Sequence, residues 1–214
     1  MSLELGGKSP SLIFDDADMN TAVSKSIEGI LANTGQICAM ASRIFVQENI
    51  SDKFINALSD AFKQASSGDM IGDPSLETTQ VGPIADKVQF KRVMDLIEGG
   101  KKDGTLVTGG IQRGQSGLYV EPTIFKNVGK GARIQQEEVF GPVVTVQTFK
   151  DEDDAIELAN DTVFGLSACI YTQSIARALR VTRLMEAGTI AVNDWYFPAV
   201  DTPFGGIKQS GEKF

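Results

Sequence analysis

Histidine is absent from the 214 residues, and cysteine occurs only twice, at Cys38 and Cys169. A chain without imidazole builds no Ser-His-Asp triad, no Cys-His pair and no His-bearing zinc site from its own residues. Two thiols are too few for an all-cysteine zinc site or a disulfide framework, and a reducing compartment leaves both free. Positive charge is also scarce, since 20 Lys and Arg against 28 Asp and Glu leave a net charge of −8. The basic residues do not cluster, so the balance repels phosphate backbones and anionic lipid, and neither nucleic acid nor a membrane is an expected partner. No apolar run approaches the roughly 18 residues that span a bilayer. The opening Met1-Ser2-Leu3-Glu4 lacks the charged and apolar regions of a signal peptide. The expectation is a cytoplasmic protein.

What is present is an ordinary globular composition: 42% apolar and 22% charged residues, enough to bury one full core. Short apolar stretches alternate with amphipathic ones, which predicts an α/β fold with a mostly parallel open sheet flanked by helices. Strands are expected over 11–14, 43–46, 106–107, 143–149, 166–171 and 189–192. Asp18 offers an N-cap to a helix carrying Val23, Ile27, Ile30 and Leu31, which Gly35 breaks. Further helices are expected from Ser51 to about Gly68, over 86–97 with Gly99, Gly100 and Gly104 closing it, over 151–160 and over 174–186. The glycine-rich middle, 109–117, reads as turns, and 194–214 shows no periodicity. Without a repeat, linker or low-complexity tract, residues 1–214 read as a single domain.

Gly35-Gln36-Ile37-Cys38 follows a helix and precedes a strand, which puts the thiol of Cys38 on a connecting loop near the sheet. Taken alone, such a cysteine is either a small buried apolar group or a nucleophile. As a nucleophile it needs a base other than histidine, and Glu4 or nearby backbone amides are the local candidates. Cys169 sits in the apolar strand Leu166-Ser167-Ala168-Cys169-Ile170 and reads as core. Glu4-Leu5-Gly6-Gly7-Lys8 sets two glycines beside a carboxylate, where backbone can approach a ligand or another strand closely. Glu137-Glu138-Val139-Phe140-Gly141-Pro142 is either a polar-ligand loop or a surface loop with one core Phe.

Together these segments resemble successive signatures of the aldehyde dehydrogenase family. The resemblance rests on Glu4-Leu5-Gly6-Gly7-Lys8-Ser9-Pro10, then Asn33-Thr34-Gly35-Gln36-Ile37-Cys38, then Glu138-Val139-Phe140-Gly141-Pro142, and finally Pro203-Phe204-Gly205-Gly206-Ile207-Lys208-Gln209-Ser210-Gly211. It covers nearly the whole chain and keeps the family's order, and the 34-residue step from Glu4 to Cys38 is similar to the family's spacing of base and nucleophile. The resemblance implies that Cys38 attacks an aldehyde, that a hydride passes to NAD or NADP, and that Glu4 activates the water which hydrolyses the resulting thioester. It further implies that Glu138 binds the nicotinamide ribose hydroxyls, that Phe140 supports the nicotinamide side, and that Gly6 lies at the cofactor. Trp195, Tyr196, Phe197 and Phe204 match the region where the family builds its substrate tunnel, and equally suit a core or a partner interface.

No G-x-G-x-x-G or Walker-type loop occurs, and in the family the Glu4 signature lies near mid-chain. The resemblance therefore implies the catalytic half only, with the nucleotide-binding half absent and oxidation impaired in this chain alone. Two other readings remain: a cofactor-free, cysteine-dependent esterase or other non-redox catalyst on a carbonyl compound, and a non-catalytic binding or assembly module. In the second, a second copy of the chain or a missing-domain partner covers the exposed face.

Overall fold

Ser167–Tyr171 is buried at every position, facing water on neither side, as befits a central strand of a sheet covered by helices on both faces. The structure is a computed structural model and describes residues 3–196 and 200–212. Its strands are β1 (Pro10–Ile13), β2 (Arg43–Gln47), β3 (Thr105–Thr108), β4 (Thr123–Lys126), β5 (Val143–Phe149), β6 (Ser167–Tyr171) and β7 (Thr189–Val192). Its helices are α1 (Met19–Leu31), α2 (Ser51–Ser67), α3 (Lys87–Asp103), α4 (Arg133–Gln136), α5 (Glu152–Asn160) and α6 (Ile175–Thr182). The seven strands form one sheet in the order β3-β4-β5-β2-β1-β6-β7, parallel throughout except for the antiparallel pair β3 and β4.

Alternate residues of the central strands feed different cores. Ile13, Ile44, Val46 and Cys169 join the cluster under α1 and α2, whereas Leu12, Phe14, Phe45 and Ile170 join the one under α5 and α6. A third cluster packs α3 on Phe125 and Val143. Helix starts follow the sequence: Asp18 accepts the Thr21 N–H at 2.8 Å, and Asp86 accepts those of Val88 and Gln89 at 2.8 and 2.9 Å.

Three expectations need correction. Gly99 and Gly100 do not close the third long helix, which continues to Asp103 and ends at Gly104. A Cβ on Gly100 would lie 2.6 Å from Ile134 and 3.1 Å from Phe125, so this glycine permits close packing rather than a stop. Strand β4 was not anticipated, because its four residues sit among turn-forming glycines, although Thr123, Ile124 and Phe125 are wholly buried. The last helix ends at Thr182, short of 186, because Asn160 captures the chain there. Its side chain donates to the Leu184 carbonyl and accepts the Glu186 N–H, both at 2.9 Å.

Candidate active site

Strands β1, β2 and β5 are parallel neighbours in register, with Pro10 opposite Arg43 and Arg43 opposite Thr145. The segments that lead into them therefore converge at one edge of the sheet. Glu4, Cys38 and Glu138, remote in sequence, each precede one of these strands and meet there. The convergence lies at the amino ends of the strands, opposite to the carboxyl-end crevice usual for open α/β sheets.

The Cys38 Sγ stands 3.9 Å from Glu4 Oε1. Cys38 is half-buried and Glu4 is exposed, so water reaches the carboxylate beside the thiol. Burial and the negative charges of Glu4 and Glu138 push the Cys38 pKa up, while the backbone amides of Cys38 and Ala39 oppose them by favouring the thiolate. The resting group is therefore a protonated thiol, and the adjacent carboxylate is where its proton can go.

The loop that presents the sulfur is wound tightly. Asn33 and Thr34 take left-handed conformations with φ of 48° and 60°. The Thr34 hydroxyl donates to the Gly82 carbonyl at 3.0 Å, and the Gln36 side-chain oxygen accepts the Ala85 N–H at 2.8 Å. Gly35, at φ +71°, packs against the backbone of Gly141, where a Cβ would lie 2.4 Å from the carbonyl. The Cys38 and Glu138 loops are thus locked together.

Glu138 accepts the Gly7 N–H through Oε1 at 3.2 Å. A Cβ on Gly6 would come within 2.3 Å of its other oxygen, so the carboxylate fills the space that a side chain at position 6 would take. Burial pushes the Glu138 pKa up, against the Gly7 amide, Arg92 and Lys8. Helix α3 clamps the backbone of this loop. Arg92 donates to the Glu138 carbonyl at 3.0 Å, and Gln89 donates to those of Val139 and Phe140 at 2.9 and 3.0 Å. Phe140 is half-buried, at φ 56°. Glu138 thus presents one oxygen held by the Gly7 amide and a second lying against Gly6.

The C-terminal signature ties the Glu4 segment down. Buried Ser210 donates through its hydroxyl to the Gly6 carbonyl at 2.7 Å and accepts the Gly165 N–H at 2.9 Å, while its carbonyl accepts the Leu5 N–H at 2.9 Å. Sequence reasoning did not single out Gln89 or Arg92, and it took Ser210 only as part of the last signature. Each acts by gripping backbone across long sequence separations, for which local pattern carries no signal.

The expected substrate aromatics assemble in part. Trp195 packs on α1 where Gly29 has no side chain, since a Cβ there would lie 2.8 Å from the indole ring. Its carbonyl accepts the Cys169 S–H at 3.1 Å. Tyr196 lies 5.6 Å from both the Trp195 and the Phe204 ring centroids. Phe197 lies outside the described residues. Cys169 is a core thiol as expected, fully buried, with burial raising its pKa to about 12.

The sequence pattern of the Aldehyde dehydrogenase family matches residues 1–213. An aldehyde dehydrogenase of Emericella nidulans is 45% identical over 212 residues, covering 99% of this chain and 42% of the relative. A betaine aldehyde dehydrogenase of Brucella anthropi is 43% identical over 216 residues, covering 99% and 44%. The crystal structure of betaine aldehyde dehydrogenase from Staphylococcus aureus in complex with NAD+ superposes with a TM-score of 0.93 at 39% identity, covering 99% of this chain and 42% of that one. This chain thus spans under half the length of these relatives. The match of the family pattern over residues 1–213, and a fold that gathers three of the four signatures at one sheet edge with the fourth bracing them, place this chain in the aldehyde dehydrogenase family.

Proposed function

We propose that this chain carries the catalytic site of an NAD(P)-dependent oxidation of an aldehyde to a carboxylic acid. The observation that carries the reading is the contact between the Cys38 thiol and the Glu4 carboxylate at the edge where Glu138 is also held. Glu4 takes the thiol proton as the sulfur bonds to the aldehyde carbon, and the carbonyl electron pair moves onto oxygen. The amides of Cys38 and Ala39, already directed at the sulfur, are the chain's own donors for charge developing there. Glu138, fixed through one oxygen, has the other free for ribose hydroxyls, with Phe140 beside it. A nicotinamide bound there supplies the hydride acceptor. Cys38 retains the acyl group as a thioester, and Glu4, exposed to solvent, takes a proton from the water that releases the acid.

The support for an apolar or aromatic aldehyde as substrate is the aromatic row of Trp195, Tyr196 and Phe204, which offers an apolar surface. Two free cysteines suit a reducing compartment such as the cytoplasm. The rest of a longer polypeptide, or a partner chain, belongs with this reading, because the chain spans only 42% of its Emericella relative.

The test is acyl trapping. The wild-type chain, joined to the remaining part of a curated relative, given NAD+ and an aldehyde and quenched with acid, should carry an adduct on Cys38 equal to the aldehyde minus two hydrogens by intact mass, and Glu4→Gln, which lacks the base for both steps, should form it more slowly. Cys38→Ala should form none. An adduct of equal yield on Cys38→Ala would overturn the assignment of the nucleophile.

A further inference from the structure

Ser11 of β1 carries a hydroxyl into an apolar interior. Its side chain points to the face of the sheet that α1 covers, because Ile13, two residues on, and Cys169, its register partner on β6, both belong to the cluster under α1 and α2. Ser11 is 2% exposed, and its Oγ has no hydrogen-bond partner among the described residues. A buried hydroxyl left unpaired costs free energy, so the great majority of such groups bond to protein or to ordered water. On this face lies a cavity of about 10 Å³, room for one water molecule. Ser11 lines it from the strand side, Ser26 and Gly29 from α1, Tyr171 from β6, and Trp195 closes it. Ser26, buried on the inner face of α1, and Tyr171, buried in the sheet, bring two further hydroxyl-bearing side chains to the wall.

We propose that Ser11, with Ser26 and Tyr171, binds a single water molecule between α1 and the sheet, and that this water forms part of the bed on which the Trp195 indole rests. A cavity lined only by hydrocarbon stays dry, whereas a buried water needs two to four polar partners, which these hydroxyls supply. No charged residue lines the cavity, so an ion has no counter-charge there, and its volume is too small for a larger polar ligand. The remaining walls are set by packing. The indole lies against Gly29, where a Cβ would come within 2.8 Å of the ring, and the Trp195 carbonyl accepts the Cys169 S–H at 3.1 Å. The water site stands on the cavity and the unpaired serine. Its bearing on the aromatic row that meets an aldehyde rests on the function proposed above.

A high-resolution crystal structure of wild type should show one water peak at roughly 2.5–3.2 Å from the Ser11 Oγ and from a second polar atom of the lining. No peak there, or a Ser11 hydroxyl bonded to a protein carbonyl instead, would overturn the proposal. In solution, 17O relaxation dispersion counts long-lived waters. Ser11→Val, whose methyls take up the space and offer no hydroxyl, should hold one fewer than wild type, and an equal count would refute the site. Should Ser11→Val fail to fold, the wild-type crystal structure still decides. Joined to the remaining part of a curated relative, Ser11→Val or Ser26→Ala should raise KM for an apolar aldehyde severalfold while the pH midpoint of Cys38 alkylation stays in place. An unchanged KM in both would remove the link to the aromatic row. Absence of acyl trapping on Cys38 would instead defeat the proposed oxidation and leave this water where it is.

Discussion

The sulfur of Cys38 and the carboxylate of Glu4, 34 positions apart, lie 3.9 Å from each other because the segments leading into two parallel, adjacent strands end at the same edge of the sheet. The negative neighbour that can accept the thiol proton also raises the cost of forming a thiolate. In the function proposed above, activation of this thiol is proton transfer on demand, not a thiolate held at rest.

That relationship fixes the sign of one prediction. A neighbouring anion disfavours the charged thiolate, so Glu4→Gln should shift the pH midpoint of Cys38 alkylation downward. In wild type the midpoint should lie above the ordinary thiol value of 9.0. Intact-mass kinetics with iodoacetamide should show one adduct, at Cys38, since Cys169 is fully buried. An unchanged or raised midpoint in Glu4→Gln would contradict the contact.

The two glycines after Leu5 should respond differently to alanine. At position 6 the added Cβ meets the end of a flexible side chain, the Glu138 carboxylate, which can swing away. At position 7 it meets the Cys38 carbonyl at 2.4 Å, which is backbone. Gly7→Ala should therefore lose about 1–3 kcal/mol in urea unfolding, while Gly6→Ala should stay near wild-type stability. Equal losses would show that Glu138 has no room to move.

Trp195 is the only tryptophan of the chain, so its emission reports its own packing. Gly29→Ala favours helix α1 by about 1 kcal/mol in propensity, yet places a methyl 2.8 Å from the indole ring. The ring should be displaced toward solvent and the emission should shift to the red. Unaltered emission would mean that the aromatic row does not rest on α1.

Stability should depend on pH through Lys8. Its folded pKa, about 7, lies below the unfolded value near 10.5, so between those limits the unfolded chain binds more protons. Stability from this group therefore rises as pH increases across that window and is flat below it. Urea unfolding at pH 6.5, 7.5 and 8.5, values chosen to straddle the lower limit (roughly one unit apart), should show a rise in wild type that Lys8→Met lacks. The same slope in both would remove Lys8 as its source.

Ser210→Ala should cost about 1–3 kcal/mol, because the Gly6 carbonyl and the Gly165 N–H each lose a buried partner. It should also slow hydrolysis of a Cys38 acyl group by freeing the Glu4 segment. Deacylation at the wild-type rate would separate the anchor from the base.

Much of this molecule was written locally. Apolar runs and alternating amphipathic stretches gave six of the strands, Asp18 gave a helix start, and the missing histidines turned attention to a carboxylate as the base for Cys38. Those features depend on neighbours a few residues away, where periodicity and capping act. Strand β4 escaped notice because its pairing partners, β3 and β5, supply the order that its short glycine-flanked sequence lacks. Gly99 and Gly100 read locally as a stop, whereas Ile134 and Phe125 pack against Gly100 and the helix continues past both. Strand order placed Glu4, Cys38 and Glu138 at one edge, and the grip of Ser210, Gln89 and Arg92 on distant backbone holds them there. The burial of Lys8 beside Arg43 is likewise a product of packing, since the charge a side chain can carry is set by what surrounds it in space.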